Sequence, residues 1–377
     1  MTAARRSGAR SGNAVRYAVV GLGHIAQVAV LPAFARARRS RLAALVSGDT
    51  EKREELSELY GVPSADYADM EALFDREDVE AVYVATPNHL HREYTVRAAK
   101  SGRHVLCEKP MAPTEDDCLA MHEACAQAGV HLMIAYRLHF DPLTLEAVKV
   151  ATKQLGELRS FSSTFSQNVQ RDNVRLQPTA KGGGPLYDIG VYCINAARMF
   201  FRAEPVLAAA FSERTDDPRF AETETSVAAI LKFPDHRVAQ FVCTFDGSAR
   251  DELLVVGTKG HLRIAPSYGY VDELELTVQI GERAPRTKKQ KVHDQFSPEL
   301  DRFAEHVRSG STPEPDWREG LADVRIIEAI LRSATDGGVP IPIDPVPKDM
   351  RPGPAQGLRR RAVDPPDHVN VAAPSES

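Results

Sequence analysis

Arg16-Tyr17-Ala18-Val19-Val20-Gly21-Leu22-Gly23-His24-Ile25-Ala26-Gln27 is the stretch on which the fold turns. An apolar run over 17–20 stops at two closely spaced glycines and gives way to a helical pattern, which reads as strand, tight turn and helix. Gly21 to Ala26 fits G-x-G-x-x-G/A. The first glycine of that pattern allows the turn, the second lets backbone approach a pyrophosphate, and the small last residue lets helix pack on strand. The helix N-terminus behind the loop offers N–H groups and the positive end of a dipole to an anion. Methyltransferases carry similar loops, so the motif alone decides little. Its place after the first strand and ahead of a helix supports dinucleotide binding by Gly21, Leu22, Gly23, His24 and Ile25. The helix is expected to run to about Arg38, with a kink at Pro32.

Outward from this unit, apolar strands are expected at 42–46, 81–85, 104–107 and 131–135. Helices alternate with them at 51–60, 70–74, 89–100 and 114–128, closed by Gly61 and Gly102 and opened by Thr114 as an N-cap. The alternation predicts an α/β fold with a Rossmann-type, doubly wound parallel sheet. Beyond Tyr136 the pattern changes. A helix at 141–153 and a half-exposed strand at 160–167 precede an irregular polar stretch, and a helix opens after Gly182-Gly183-Gly184. Strands then follow at 206–211, 225–233, 238–245, 253–256, 261–265 and 274–280, with helices at 298–309 and 318–335. This predicts a C-terminal α+β domain with a large, mainly antiparallel open sheet. The expected division is a disordered N-terminus at 1–14, a Rossmann domain at 15–138, a substrate-binding and oligomerisation domain at 139–345, and a Pro/Arg-rich tail at 346–377, disordered or draped.

At 377 residues and a net charge of −5 the chain has room for two cores and no nucleic-acid signature. Arg5, Arg6 and Arg10 form too short a basic start to change that, and the glycines after Tyr17 argue against a twin-arginine export signal. Cys107, Cys118, Cys125, Cys193 and Cys243 include no C-x-x-C pair, which points to reduced thiols in a cytoplasmic protein rather than a disulfide frame or zinc site. His89 and His91 lack further ligand-like neighbours, so no metal is expected. No apolar stretch reaches membrane-spanning length.

Two further stretches carry chemistry. Val105-Leu106-Cys107-Glu108-Lys109-Pro110 ends an apolar strand in a carboxylate, an ammonium and a proline. Ligands of open α/β sheets bind beyond the carboxyl ends of strands, and the proline keeps Lys109 extended; a solvated loop ion pair is the plain alternative. The second strand ends Leu45-Val46-Ser47-Gly48-Asp49. A carboxylate at that position selects NAD, and Ser47 stands there instead, with Lys52 one helical turn on. A hydroxyl plus a cation suits a 2′-phosphate, which favours NADP(H) over NAD(H), with Arg38 and Arg39 as possible helpers; the alternative is that Asp49 reaches back to the ribose. Gly48, Thr86, Pro87, Asn88, His91, Glu108, Lys109 and Arg137 complete the expected cofactor contacts.

Together these motifs resemble the Gfo/Idh/MocA oxidoreductases, and within them the glucose-fructose oxidoreductase branch. The resemblance covers about 15–342. It is carried by the glycine loop, by Ala44-Leu45-Val46-Ser47-Gly48-Asp49, Cys107-Glu108-Lys109-Pro110-Met111, Tyr136-Arg137-Leu138-His139-Phe140-Asp141-Pro142, the run from Gly182 to Tyr192, and Gly320-Leu321-Ala322-Asp323-Val324-Arg325. It implies hydride transfer to or from a carbinol or carbonyl of a sugar or polyol, with the family's lysine at Lys109, its acidic residue at Asp188 and its acid/base at Tyr192. Asp188 and Tyr192, four apart, share a helix face. Hydride removal from a carbinol needs a base for its proton, which Tyr192 would supply; a helix-surface pair with a buried tyrosine is the plain reading. Arg175 is a candidate sugar contact, and Val174 replaces the tryptophan often found before it. Tyr136 and His139 either line the pocket or pack at the domain junction. Few helices follow Phe201 to cover the second sheet, so a homodimer or homotetramer through that sheet is expected. The rival functions are a non-catalytic regulator that binds nucleotide and carbohydrate, and an NAD-dependent inositol-type dehydrogenase.

Overall fold

The computed structural model describes residues 13–348, 350–371 and 373. Residues 1–12, most of the expected disordered N-terminus, lie outside that range.

Six parallel strands build the first sheet: β1 (Val15–Val20), β2 (Ser40–Val46), β3 (Ser64–Ala65), β4 (Ala81–Val84), β5 (His104–Glu108) and β6 (Leu132–Ala135). Their order is β3-β2-β1-β4-β5-β6, so the order reverses between β1 and β4, where nucleotides bind in such sheets. The strands alternate between two buried faces. On β1, Tyr17 and Val19 belong to one core cluster and Ala18 and Val20 to the other.

The helix after the glycine loop departs from expectation. It is a π-helical turn over Ala26–Val30 followed by one α-turn, α1 (Leu31–Ala33), and it does not reach Arg38. Pro32 is the reason: it has no N–H to give the preceding turn, so the register loosens there rather than kinking a long helix. The remaining helices of this part are α2 (Thr50–Tyr60), α3 (Met70–Arg76), α4 (His91–Lys100) and α5 (Glu115–Ala128). Asp49 caps α2 and Thr114 caps α5 through their side-chain oxygens.

After α6 (Pro142–Gln154) comes a nine-stranded sheet in the order β14-β13-β12-β11-β7-β10-β9-β8-β16. Its strands are β7 (Leu158–Asn168), β8 (Leu207–Glu213), β9 (Ser226–Phe233), β10 (Arg237–Thr244), β11 (Asp246–Gly257), β12 (Gly260–Ile264), β13 (Leu274–Ile280), β14 (Arg286–Gln290) and β16 (Ile341–Pro342), with β15 (His293–Asp294) outside it. Only β7 and β10 pair in parallel; the other pairs are antiparallel. Edge strand β14 was not expected, because Arg-Thr-Lys-Lys has no apolar alternation. Such charged edges keep a sheet from pairing further.

One face of this sheet is covered by α7 (Val191–Phe201), which continues a π-helical turn over Leu186–Gly190. Two late helices, α8 (Phe296–Ser309) and α9 (Trp317–Thr335), return to the first sheet. The Tyr17 hydroxyl donates to Leu300 O at 3.0 Å, and Asp301 accepts from the Arg38 and Arg39 N–H groups. Just ahead of α9, Asp316 bridges Met133 of β6. The first sheet therefore finishes its core only with residues from the far end of the chain. The tail is draped: β17 (Arg360–Arg361) pairs with β15. No helix among the described residues is long and apolar enough to cross a membrane.

Candidate active site

A cleft of about 1340 Å³ lies between the ends of the parallel strands and the inner face of the nine-stranded sheet. That volume is ample for a dinucleotide and a small substrate.

The glycine loop forms its floor. Gly21 has φ +94°, and a Cβ there would sit 2.7 Å from Ala85 O. At Gly23 a Cβ would meet no protein atom within 4 Å, so backbone is bare to the cleft where a pyrophosphate would need it. Burial holds the loop's His24 neutral, pushing its pKa down to about 4, with Arg175 and His368 acting the same way. Leu22, Ile25, Thr86, Pro87 and Asn88 continue the wall. Asn88 also donates to Gly182 O at 2.7 Å, tying the glycine triplet to the first sheet.

Ser47 and Lys52 line the far end of the cleft. Asp49 is committed elsewhere: it accepts from Lys52 N at 3.2 Å, lies 3.6 Å from Lys52 Nζ and accepts from the Asn370 amide at 2.9 Å. Gly48 packs against the Tyr67 ring and is absent from the cleft lining. The backbone N–H groups of Arg38 and Arg39 go to Asp301, Arg39 Nε pairs with Glu305 at 3.0 Å, and neither arginine lines the cleft.

At the other end Lys109, Asp188 and Tyr192 converge. Lys109 Nζ donates to Asp188 O at 2.8 Å, stands 3.8 Å from Asp188 Oδ1 and lies 4.5 Å from the centre of the Tyr192 ring. Asp188 Oδ2 accepts from Arg175 Nε at 2.8 Å and from Gln167 Nε2 at 3.1 Å. Burial alone would raise the pKa of Asp188, but the charges of Arg175 and Lys109 hold it below its ordinary value. Arg137 Nη2 donates to the Tyr192 hydroxyl at 3.3 Å, and its guanidinium is flanked by the Tyr192 and Tyr270 rings. Glu108 is buried behind Lys109 and accepts from the Tyr83 hydroxyl at 2.7 Å; burial pushes its pKa up, opposed by Lys109. His91, fully buried at the wall, has its ring nitrogens on Thr86 O and Pro110 O. It joins two loops.

Tyr136 and His139 are not in this cleft. Tyr136 donates to Asp323 Oδ2 at 2.6 Å, and His139 sits between Glu314 and Asn195. Both pack at the junction, where their polar atoms are consumed by buried partners. Sequence reasoning missed Gln167 and the aromatic wall of Phe165, Tyr268 and Tyr270. A polar Gln167 two places after Phe165, on the inward face of β7, was the available signal.

Residues 15–136 match the sequence model described as the oxidoreductase family with an NAD-binding Rossmann fold, and residues 148–263 match the GFO/IDH/MocA C-terminal domain. The chain belongs to the Gfo/Idh/MocA oxidoreductase family. Within that family it is 32% identical over 326 residues to a D-xylose 1-dehydrogenase (NADP(+)) of Haloferax volcanii, covering 85% of this chain and 98% of that one. The crystal structure of an aldose-aldose oxidoreductase from Caulobacter crescentus, complexed with glycerol, superposes with a TM-score of 0.83 at 39% identity, over 88% of this chain and 100% of that one. A 3-ketoreductase from Actinomadura kijaniata, solved with NADP and TDP-benzene, gives 0.77 at 26% identity, over 85% and 98%.

Because the folded pKa of Asp188 lies below its unfolded value, its ionic contribution to stability is complete above the unfolded pKa and is lost as pH falls through the folded one. Arg175→Ala removes the largest influence opposing burial, so the folded pKa rises. The acid-unfolding midpoint, followed by circular dichroism, should move to higher pH in Arg175→Ala and partly return in Arg175→Lys.

Proposed function

We propose that the protein is an NADP(H)-dependent oxidoreductase that interconverts a carbinol and a carbonyl on a sugar or polyol. The observation that carries this reading is the meeting of Lys109, Asp188 and Tyr192 at the strand end opposite the Ser47–Lys52 pocket. The xylose dehydrogenase and aldose oxidoreductase among its relatives support the substrate class.

Bound nicotinamide supplies or accepts the hydride. The chain manages the oxygen and its proton. Lys109 spends one of its three donors on Asp188 O, which leaves others for the substrate oxygen as negative charge develops there. Tyr192 exchanges the proton with that oxygen, while Arg137 fixes the position of its hydroxyl. Asp188, ionised between Arg175 and Lys109, holds the lysine and keeps Arg175 at the substrate side. Phe165 and Tyr270 offer apolar faces for a sugar ring, with the fully buried Tyr268 stacked behind Phe165.

The NADP(H) preference rests on Ser47 and Lys52 lining the ribose end and on the prior engagement of Asp49. The outer face of the second sheet exposes Phe211, Ile230, Val238 and Val242, with Phe211 at 63% and Ile230 at 51%. Strand β9 keeps its alternate residues Val227, Ala229, Leu231 and Phe233 inward, and the apolar side chains left on the outer face favour a second copy of the chain against it.

Three measurements test the reading. Tyr192→Phe keeps the ring and loses the hydroxyl, so kcat on an aldose panel should drop by roughly two to four powers of ten with nucleotide affinity retained; near-normal turnover would move the proton role elsewhere. In nucleotide titrations the parent should bind NADP(H) more tightly than NAD(H), and Ser47→Asp with Lys52→Ala should lose that preference. Light scattering at micromolar concentration should give a dimer or tetramer for the parent and a smaller species for Ile230→Asp with Val242→Asp, whereas a monomeric parent refutes the interface.

A further inference from the structure

The chain continues well past the last strand of the nine-stranded sheet, and its course is fixed by buried contacts. Lys348 is almost fully buried and pairs with Glu314 at 3.0 Å and with Glu319. Arg351 pairs with Glu204. Gln356 donates to Glu314 Oε2 at 2.7 Å, Leu358 N donates to Phe140 O at 3.1 Å, and β17 then pairs with β15. The segment thus crosses from the second sheet to α8, on the flank of the nucleotide domain.

Its last described residues reach the glycine loop. Gln27, 2% exposed, presents both sides of its amide to Val369: Gln27 Oε1 accepts from Val369 N at 2.8 Å, and Gln27 Nε2 donates to Val369 O at 2.9 Å. The same Gln27 Nε2 lies 2.9 Å from Leu22 O inside the loop. Val369 is buried against the core of the first sheet. One residue on, Asn370 donates to Asp49 Oδ2 at 2.9 Å, and Asn370, Val371 and Ala373 line the cleft together with Ser47 and Lys52. Between β17 and Val369 no ladder pairing holds residues 362–368, which include Pro365-Pro366. The outer end can therefore lift while the anchor at Lys348, Arg351 and β17 stays seated.

We infer that residues 368–371 are a strap over the adenosine-ribose end of the nucleotide site, clipped to the glycine loop through Gln27 and to the ribose loop through Asp49, and that it must unclip for nucleotide to leave. This rests on the nucleotide site proposed above. The clip consists of neutral hydrogen bonds, one bond to a carboxylate and one buried valine, so it slows exchange without making it irreversible. It also explains why Gln27, a polar residue on an otherwise apolar helix face, is buried: its partners are the loop and the strap.

The test compares nucleotide release from the full chain, from a chain ending at Arg361, and from Val369→Pro, which removes both the N–H given to Gln27 and the buried valine side chain. Each is loaded with NADPH and mixed with excess NADP+, and release is followed by nicotinamide fluorescence. If only NADH binds, NADH and NAD+ replace them. Both variants should release nucleotide about tenfold faster or more, with the thermal midpoint of Val369→Pro close to that of the parent. Release at the parent's rate from both variants overturns the strap. A parent that binds neither nucleotide overturns the nucleotide site itself, so the two failures are told apart.

Discussion

The meeting of Lys109, Asp188 and Tyr192 depends on a buried guanidinium. Lys109 comes from a strand of the first sheet, whereas Asp188 and Tyr192 come from the helix that covers the second. Arg198, about two turns past Tyr192 on α7 and fully buried, reaches Glu319 at 2.8 Å and Asp323 at 2.6 Å on α9. Asn195, one turn nearer the site, donates to both of those carboxylates. Helix α9 is in turn fixed to the first sheet by the Asp316–Met133 bridge and by Glu328 accepting from Glu115 N. The chain of contacts runs from Tyr192 through Arg198 to α9 and back to β6, the neighbour of the strand that carries Lys109. A buried ion pair gains little net stability over apolar packing, but breaking it by removing one partner costs about 3–5 kcal/mol. Its worth here is geometric: a slip of α7 on α9 would separate Tyr192 from Lys109 and leave charges without partners.

The same junction explains how the described part of the tail is held. Four carboxylates, Glu204, Glu314, Glu319 and Asp323, crowd this region with Arg198. Burial pushes Asp323 up, while Arg198 and Arg351 bring Glu204 down to about 2 despite its burial. Lys348 and Arg351 supply the missing positive charge, and they belong to the tail. A segment whose composition reads as loose is held by two cations buried where carboxylates require them.

This marks the boundary of what the sequence reveals. The parallel sheet, the glycine loop and the strand-end lysine were legible because each is a local pattern: apolar runs, a spaced pair of glycines, an abrupt Glu-Lys-Pro. Most of the antiparallel strands were legible from alternation. Tail order was not, because the partners of Lys348 lie 34 and 29 residues earlier in the chain and only the fold brings them close. Strand β14 carried no alternation to read. The pocket residues divided by the same rule. Arg175 followed from the family resemblance, but Gln167 reaches the cleft from a strand whose register the sequence leaves open, and Tyr268 from the loop between β12 and β13. Tyr136 and His139 sit in a motif beside the site, and their burial under α7 and α9 is a tertiary fact.

The two irregular helices show how local strain and chemistry meet. Both helices that face the cleft begin with a π-helical turn, at Ala26–Val30 and at Leu186–Gly190. Such turns concentrate at functional sites, because a widened turn shifts the hydrogen-bond register and frees backbone groups for other partners. At Leu186–Gly190 the consequence is visible: Asp188 O takes the Lys109 ammonium at 2.8 Å, while the side chain of the same residue turns to Arg175 and Gln167. One residue thus positions the lysine through its carbonyl and the arginine through its carboxylate. The first π-turn does the corresponding work for the nucleotide end, where it aims Gln27 at both Leu22 and Val369. The departures from regular geometry therefore lie where each half of the site must meet a partner from elsewhere in the chain.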